Sequence, residues 1–182
     1  MRSHRSLIVP WVALAVALTV ALTVAASPDA SAAPPETTAQ IEAQRMWSAF
    51  LKADLEGFAG FSHPSVVKMN GGKRQLLDLL RKGFAEMKKQ GVSFESAQVE
   101  RPSRAVQAGS ELHLVVPMKM VMKRPEGRFL VRSYLIGVSA DSGRTWSFVD
   151  GARVTAENVR KVLPNFSARL TLPVVGPPEA LK

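Results

Sequence analysis

Seven side chains are the candidates for a binding or catalytic site in this chain. They comprise an imidazole, a carboxylate, a guanidinium, a phenol, an indole and two thioethers: His63, Asp150, Arg132, Tyr134, Trp146, Met118 and Met120. The apolar members would supply the wall that small-molecule pockets usually have. In an isomerase- or lyase-like enzyme, Asp150 or His63 would act as the base and Tyr134 would donate to a developing oxyanion.

The sequence lacks the residue patterns of several other kinds of functional site. The chain has no cysteine, so disulfides and thiolate metal sites are excluded. His63 and His113 are the histidines that follow the N-terminal segment, and no HxxxH or HxH spacing occurs, so we expect no metal. The phosphate-binding loop, the dinucleotide fingerprint and the GxSxG nucleophile elbow are also absent, and we expect no cofactor.

A long strand with one apolar face is predicted in the middle of the chain. Every second residue is apolar over six positions: Leu112, Leu114, Val116, Met118, Met120 and Met122. Period-two alternation is the pattern of a strand that buries one face. Pro117 has the opposite parity, so we expect a bulge or a sheet edge there. The chain then turns at 124–127 and returns through 129–139.

The register of this hairpin decides which polar side chains share the apolar face. A type I turn followed by a Gly127 bulge would pair Arg124 with Arg128, so even-numbered residues would face each other. That register adds to the methionine face Arg132, Tyr134, Ile136, Trp146, Phe148 and Asp150. A two-residue turn would instead place Lys119 beside Arg132. Because like charges directly opposite are unfavourable, the bulged register is favoured.

A purely structural interpretation of the same residues stays open. The sheet face could be a filled core in which Asp150 pairs with Arg132 or caps the following turn. Methionine is an adaptable core filler, and a lone histidine in a loop before proline is commonly structural. If His63 is functional, it lies at the mouth of the pocket, where its ordinary pKa suits a general acid or base.

Helices occupy the first part of the domain. Thr37 or Thr38 can cap the first, which carries an apolar stripe of Ile41, Met46, Trp47, Phe50 and Leu51. Asp54 can cap a second, which ends at His63-Pro64. The clearest helix follows Gly72 and ends at Gly91, with an apolar face of Leu76, Leu77, Leu80, Phe84 and Met87. A last helix is predicted over 155–163.

Three helices followed by a meander of antiparallel strands resemble the nuclear transport factor 2-like, or SnoaL-like, superfamily. The phrases WSAFLKADLEGF (47–58) and WSFVD (146–150) carry the likeness, which covers most of 37–151. The resemblance implies an α+β, cystatin-like cone with a pocket between a curved antiparallel sheet and the helices. The superfamily includes isomerases, cyclases, dehydratases, binding proteins and dimerisation modules, so the fold alone does not choose an activity. A homodimer is among the partners it implies.

The segment SADSGRTW (139–146) matches the Asp-box pattern S-x-D-x-G-x-T-W of sialidase propellers. A propeller needs the motif once per blade, whereas this short chain has it once. We therefore interpret it as a turn in which Asp141 binds backbone amides, Gly143 supplies positive φ and Trp146 packs beneath.

Residues 1–32 have the pattern of a signal peptide. Arg2 and Arg5 precede an uncharged run over 7–26, and Ala30-Ser31-Ala32 fits the small-x-small cleavage pattern. We expect a secreted or periplasmic protein cleaved near Ala32; the alternative is a membrane anchor formed by the uncleaved segment. Residues 33–36 would be a tether, 37–163 the domain and 164–182 a loose, proline-rich tail.

The charge of the chain favours anionic partners. Removing Arg2, Arg5 and Asp29 lowers the formal net charge from +9 to +8. Such a surface attracts acidic polymers or lipid headgroups, and export makes nucleic acid an unsuitable partner. The predicted function is an exported, non-catalytic protein that binds a small, mostly apolar ligand or a partner chain in its pocket. The alternative is the isomerase- or lyase-like enzyme described above.

Overall fold

The computed structural model describes residues 33–155 and 157–182, so the predicted leader lies outside the described residues. Five α-helices occur in this part: α1 Pro35–Leu51, α2 Leu55–Gly60, α3 Pro64–Met69, α4 Lys73–Lys89 and α5 Val159–Val162. Six strands occur with them: β1 Ser93–Val99, β2 Val106–Ala108, β3 Glu111–Arg124, β4 Gly127–Ser139, β5 Ser147–Asp150 and β6 Glu179–Leu181. The predicted α+β class, with helices preceding an antiparallel sheet, is confirmed.

The sheet is organised around the long β3–β4 hairpin. Its main path is β1-β3-β4-β5, while β2 pairs with β3 and β6 pairs with β4, all antiparallel. The chain from Ala32 to Lys182 forms one compact unit. All three buried apolar clusters consist of residues from this unit, so it has the core that an independently folding domain requires. In the described ranges, no helix combines the length and the apolar character needed to cross a bilayer.

The predicted bulged register of the β3–β4 hairpin is wrong. Arg124 pairs with Gly127 across a two-residue turn, and the pairing continues without a shift to Leu112 and Ser139. Met118 therefore lies opposite Ser133 and Met120 opposite Val131, with Tyr134 opposite Pro117. The same one-residue shift occurs in the next hairpin, where Val138 pairs with Ser147 instead of Trp146.

Carboxylates from flanking strands explain why this register is tolerated. Lys119 lies opposite Arg132 and Lys123 opposite Arg128, the arrangement that like-charge repulsion disfavours. Glu100, just after β1, forms an ion pair with Lys119, and Glu179 of β6 lies 3.2 Å from Arg132. Likewise, Glu95 of β1 lies 2.7 Å from Arg128. Acidic side chains that are distant in sequence thus neutralise the repulsion.

The irregularity in the sheet lies in β1 rather than at Pro117. The β1–β3 register shifts between Phe94 and Ser96, whereas Pro117 pairs regularly with Tyr134. β1 stops pairing with β3 at Met118, the neighbour of Pro117. A proline has no N–H to donate, so the end of a ladder is a position that accepts it.

The sheet is covered on both faces. The inner face packs on α1 and forms a core of Ala39, Ala43, Met46, Val99, Leu114, Val116, Met118, Met120, Leu135, Trp146 and Phe148. The outer face packs on the C-terminal segment and forms a second core of Val115, Tyr134, Ile136, Val138, Val149, Val159, Leu163, Phe166 and Leu170. The tail expected to be loose therefore contributes Phe166 and Leu170 to a core, and β6 extends the sheet.

Polar side chains of α1 form hydrogen bonds with backbone groups at two opposite edges of the sheet. Gln44 donates to the Ala97 carbonyl at 3.1 Å and accepts from the Val99 N–H at 3.1 Å, as a neighbouring strand would. Glu36 accepts from the Ala105 N–H at 2.8 Å. At the opposite edge, just before β5, Glu42 accepts a hydrogen bond from the Trp146 N–H at 2.7 Å. These bonds fix α1 on the inner face and satisfy the outer edge of β1.

Several helix boundaries differ from the sequence prediction. α1 begins at Pro35, earlier than the threonine caps, and Ile41 is exposed rather than buried. α3 was not predicted; Pro64 occupies its first turn, where a missing N–H costs nothing. The helix predicted over 155–163 is shorter in the structure, where α5 covers Val159–Val162. The Asp54 cap of α2 is confirmed, with the Gly57 N–H 2.9 Å from its carboxylate.

Candidate functional site

Five aromatic rings from four elements converge where α1 ends. Trp47 and Phe50 come from the last turns of α1, and Phe58, Phe84 and Phe94 come from α2, α4 and β1. Phe50 is at the centre: its ring centroid lies 5.3 Å from Trp47, 5.7 Å from Phe84 and 5.7 Å from Phe94. All three contacts are edge-on, the geometry that aromatic quadrupoles favour. We refer to these rings as the aromatic cluster.

A cavity of about 300 Å³ opens beside the aromatic cluster. Its lining consists of Phe50, Leu51, Phe84, Met87, Lys88, Val92, Ser93 and Phe94. Six of these eight side chains are apolar. Among the described residues of the lining, Lys88 alone is charged and Ser93 alone carries a hydroxyl. This composition, an apolar wall with few polar groups, is that of a small-molecule site.

The indole of Trp47 leaves one polar group unsatisfied next to this cavity. Its Nε1 is buried and has no hydrogen-bond partner among the described residues. Its ring packs 5.8 Å from Phe58 and 6.4 Å from Phe94. A buried N–H without a partner costs free energy.

The predicted wall residues lie in a filled core. Met118, Met120 and Trp146 are at most 6 % exposed and belong to the inner core beneath α1. None of them lines the aromatic cavity. The alternation over 112–122 correctly identified the inner face of β3, and the burial of Met118 and Met120 agrees with methionine as core filler. Trp146 is buried in the same core, although the register from which it was placed there is wrong.

The predicted polar residues do not come together on that face. Tyr134 is 1 % exposed in the outer core and donates to the Val154 carbonyl at 3.1 Å. Burial, and secondarily the Asp150 charge, raise the pKa of Tyr134. Arg132 is exposed and pairs with Glu179. Asp150 is exposed and accepts from the Ala152 N–H at 3.0 Å, so it caps the 3₁₀ helix Gly151–Arg153.

His63 has a structural position at the edge of β5. Its N–H donates to the Phe148 carbonyl at 2.9 Å, and Ser62 forms a parallel bridge with Phe148. Its Nδ1 lies 2.6 Å from the Ser65 hydroxyl and accepts from the Ser65 N–H at 3.2 Å, which caps α3. Burial lowers the pKa of His63 more than the Glu111 charge raises it. The Nδ1 atom of His63 is thus engaged in capping α3, and the residue does not line the aromatic cavity.

A second groove lies at the start of α1. Its volume is about 730 Å³, and its lining consists of Pro34, Glu36, Thr37, Gln40, Arg101, Pro102 and Arg104. The Glu36 carboxylate is held by the Ala105 N–H, which lowers its pKa, with smaller contributions from the charges of Arg104 and Arg101. This groove is polar and lacks the apolar wall of the aromatic cavity. Within 33–155 and 157–182, no group of three acidic or histidine side chains could hold a metal ion.

The Asp-box segment is a stabilised turn, as predicted. The Asp141 carboxylate accepts from the Thr145 N–H at 2.9 Å, the Arg144 N–H at 3.0 Å and the Ser139 hydroxyl at 2.8 Å. Gly143 has φ +89°, and Trp146 donates to its carbonyl at 3.2 Å. The bonds from Thr145 are the largest cause that lowers the pKa of Asp141, followed by the bond from Ser139.

We expect acid to weaken this turn. Because the folded pKa lies below the ordinary value, the stabilisation is complete above about pH 4 and declines as pH falls toward the lower folded pKa. The melting temperature of the chain should exceed that of Asp141→Asn at pH 6, and the difference should shrink by pH 3. Circular dichroism melts would measure it, with Glu126→Gln at the exposed hairpin tip as control. A difference independent of pH would contradict this assignment.

The residues of the aromatic cavity were only partly predictable. Phe84 and Met87 belong to the predicted apolar stripe of α4, and Phe50 to that of α1. Val92 and Ser93 gave no sequence signal, because they follow a helix end where no period applies. No family model matches the chain, and no curated protein or solved structure is significantly similar to it.

Proposed function

We propose that this chain is an exported, non-catalytic protein that binds a small, mostly apolar ligand in the aromatic cavity. The observation that carries the proposal is a cavity of about 300 Å³ with six apolar side chains among the eight that line it. This volume lies at the lower end of the range of ligand pockets. The export component rests on the leader pattern of residues 1–32 and stays a prediction.

The positions of the acid/base candidates favour binding over catalysis. An isomerase or lyase would need a base and a proton donor at one substrate. The Tyr134 hydroxyl is bonded to the Val154 carbonyl in the outer core, and the His63 Nδ1 caps α3. Neither residue, nor Asp150, lines the aromatic cavity. The cavity offers Lys88 and Ser93 as polar groups, which suit ligand orientation better than paired acid/base chemistry.

Filling the cavity should weaken ligand binding. N-phenyl-1-naphthylamine, a neutral apolar dye that fluoresces in dry sites, is a suitable probe. Met87→Trp puts an indole into the cavity, and we expect affinity for the dye to fall about tenfold or more, equivalent to ~1.4 kcal/mol. Fluorescence titration of the chain and the variant would measure the change.

Ala85→Trp provides the matched control. Ala85 lies on the same helix but is exposed, and it does not line the cavity. This variant should bind the dye as the unmodified chain does. Equal affinity in Met87→Trp, or an equal loss in both variants, would contradict the proposed site, as would a folded chain that gives no fluorescence enhancement.

A further inference from the structure

The outward surface of α4 is strongly basic. The helix has 17 residues, of which six are basic and two are acidic. Its inward face is apolar and buries Leu76 and Leu77. All six basic side chains are exposed: Lys73, Arg74, Arg81, Lys82, Lys88 and Lys89. Arg74, Lys82 and Lys89 lie with Leu79 on the half of the helix opposite the buried Leu76 and Leu77, and we call these four residues the basic face of α4.

Most of this charge is not neutralised by neighbouring carboxylates. Arg81 lies 3.3 Å from Asp78, and the Glu86 carboxylate accepts from Gln90. The other five basic side chains form no ion pair within the described ranges. In the β3–β4 hairpin, Lys119, Arg128 and Arg132 pair with glutamates, whereas Lys123 and Arg124 form no ion pair among the described residues. Exposed basic residues without an ion pair among the described residues also occur elsewhere, as at Lys52, Lys68 and Lys123, but α4 has five of them within 17 residues.

Exposed apolar side chains accompany the charge. Leu79 of α4 is 55 % exposed, and Met69 at the end of the adjoining α3 is 64 % exposed. Basic side chains would bind any anionic partner, but exposed leucine and methionine side chains gain free energy only where they leave water. A lipid surface accepts both, since headgroups attract the basic residues and the acyl boundary accepts apolar ones.

We infer that the basic face of α4 docks on a membrane surface that contains anionic lipid. Arg74, Lys82 and Lys89 all lie on the outward half of the helix and span about 22 Å along it, with Leu79 bordering them. The contact is with headgroups and the acyl boundary, and the helix lies along the surface rather than across the bilayer. This interaction does not depend on the ligand proposed for the aromatic cavity.

Vesicle binding tests the inference. The folded unit 33–182 should cosediment with vesicles of phosphatidylcholine mixed with phosphatidylglycerol, but not with phosphatidylcholine alone. Added salt should weaken binding because it screens the attraction. The triple variant Arg74→Gln, Lys82→Gln and Lys89→Gln should bind roughly 100-fold less, at about fivefold for each basic side chain. These positions are exposed, and thermal melts would verify folding.

Two comparisons make the test specific. The triple variant Arg160→Gln, Lys161→Gln and Lys182→Gln removes the same charge from exposed positions outside α4 and should bind vesicles nearly normally. Leu79→Ser should weaken vesicle binding severalfold without changing affinity for heparin, a soluble polyanion. Equal losses in both triple variants would overturn the location. Binding to heparin but not to anionic vesicles, or vesicle binding unaffected by Leu79→Ser, would overturn the lipid assignment.

Discussion

Phe166→Ala should lower the free energy of unfolding by about 3–5 kcal/mol, the usual cost of deleting a buried phenylalanine. Phe166 is 7 % exposed and belongs to the outer core, where its ring lies 6.1 Å from that of His113. The proline content of the tail predicts loose order, and in a loose tail the same substitution would leave the free energy of unfolding unchanged. Urea unfolding followed by circular dichroism would measure the difference.

Val174→Ala is the matched control in the same segment. Val174 is 98 % exposed, so its truncation should change the free energy of unfolding by less than about 0.5 kcal/mol. Deleting 165–182 should be at least as harmful as Phe166→Ala, because it also removes Leu170 and β6. A deletion variant with unchanged stability would show that the tail does not cover the outer face.

Tyr134→Ala should also destabilise the fold by about 3–5 kcal/mol, by analogy with other large-to-small aromatic substitutions. Tyr134 is among the largest fully buried side chains, and its ring fills the space beside Gly151, where an added Cβ would overlap with it. Tyr134→Phe keeps the ring and leaves the Val154 carbonyl without its donor, so it should cost about 1 kcal/mol.

The two tyrosine variants separate a structural role from a catalytic one. If Tyr134 supports only the outer core, Tyr134→Phe should retain dye binding in the aromatic cavity. Asp150→Asn, at an exposed cap, should be milder than Tyr134→Ala. A Tyr134→Phe chain with unchanged stability but altered ligand chemistry would revive the enzyme alternative.

Local patterns in the sequence predicted most of the elements correctly. The apolar stripe of α4, with Gly72 before it and Gly91 after it, identified that helix because period and end signals lie within one segment. The alternation from Leu112 to Met122 identified β3 and its inner face. The Asp141 turn was predicted for the same reason, since its donors lie within four residues.

Non-local contacts decided what the sequence could not. In the observed register, the basic residues of the hairpin pair with Glu95, Glu100 and Glu179, which lie far from them along the chain. Reasoning from the hairpin alone, in which like charges repel, therefore favoured the wrong pairing. The observed register differs from the predicted one by one residue. Because side chains alternate along a strand, Tyr134 and Arg132 therefore lie on the opposite face from the one predicted.

The sequence by itself determined the α+β class, the strongest helix, the apolar face of β3 and the Asp141 turn, because each follows from residues close together in the chain. Only the tertiary structure decided the register, the C-terminal cover of the outer face and the site. The aromatic cavity requires rings from α1, α4 and β1 to meet, and no local period encodes that convergence. Its position is set by how the helices pack on the sheet, which depends on the whole fold.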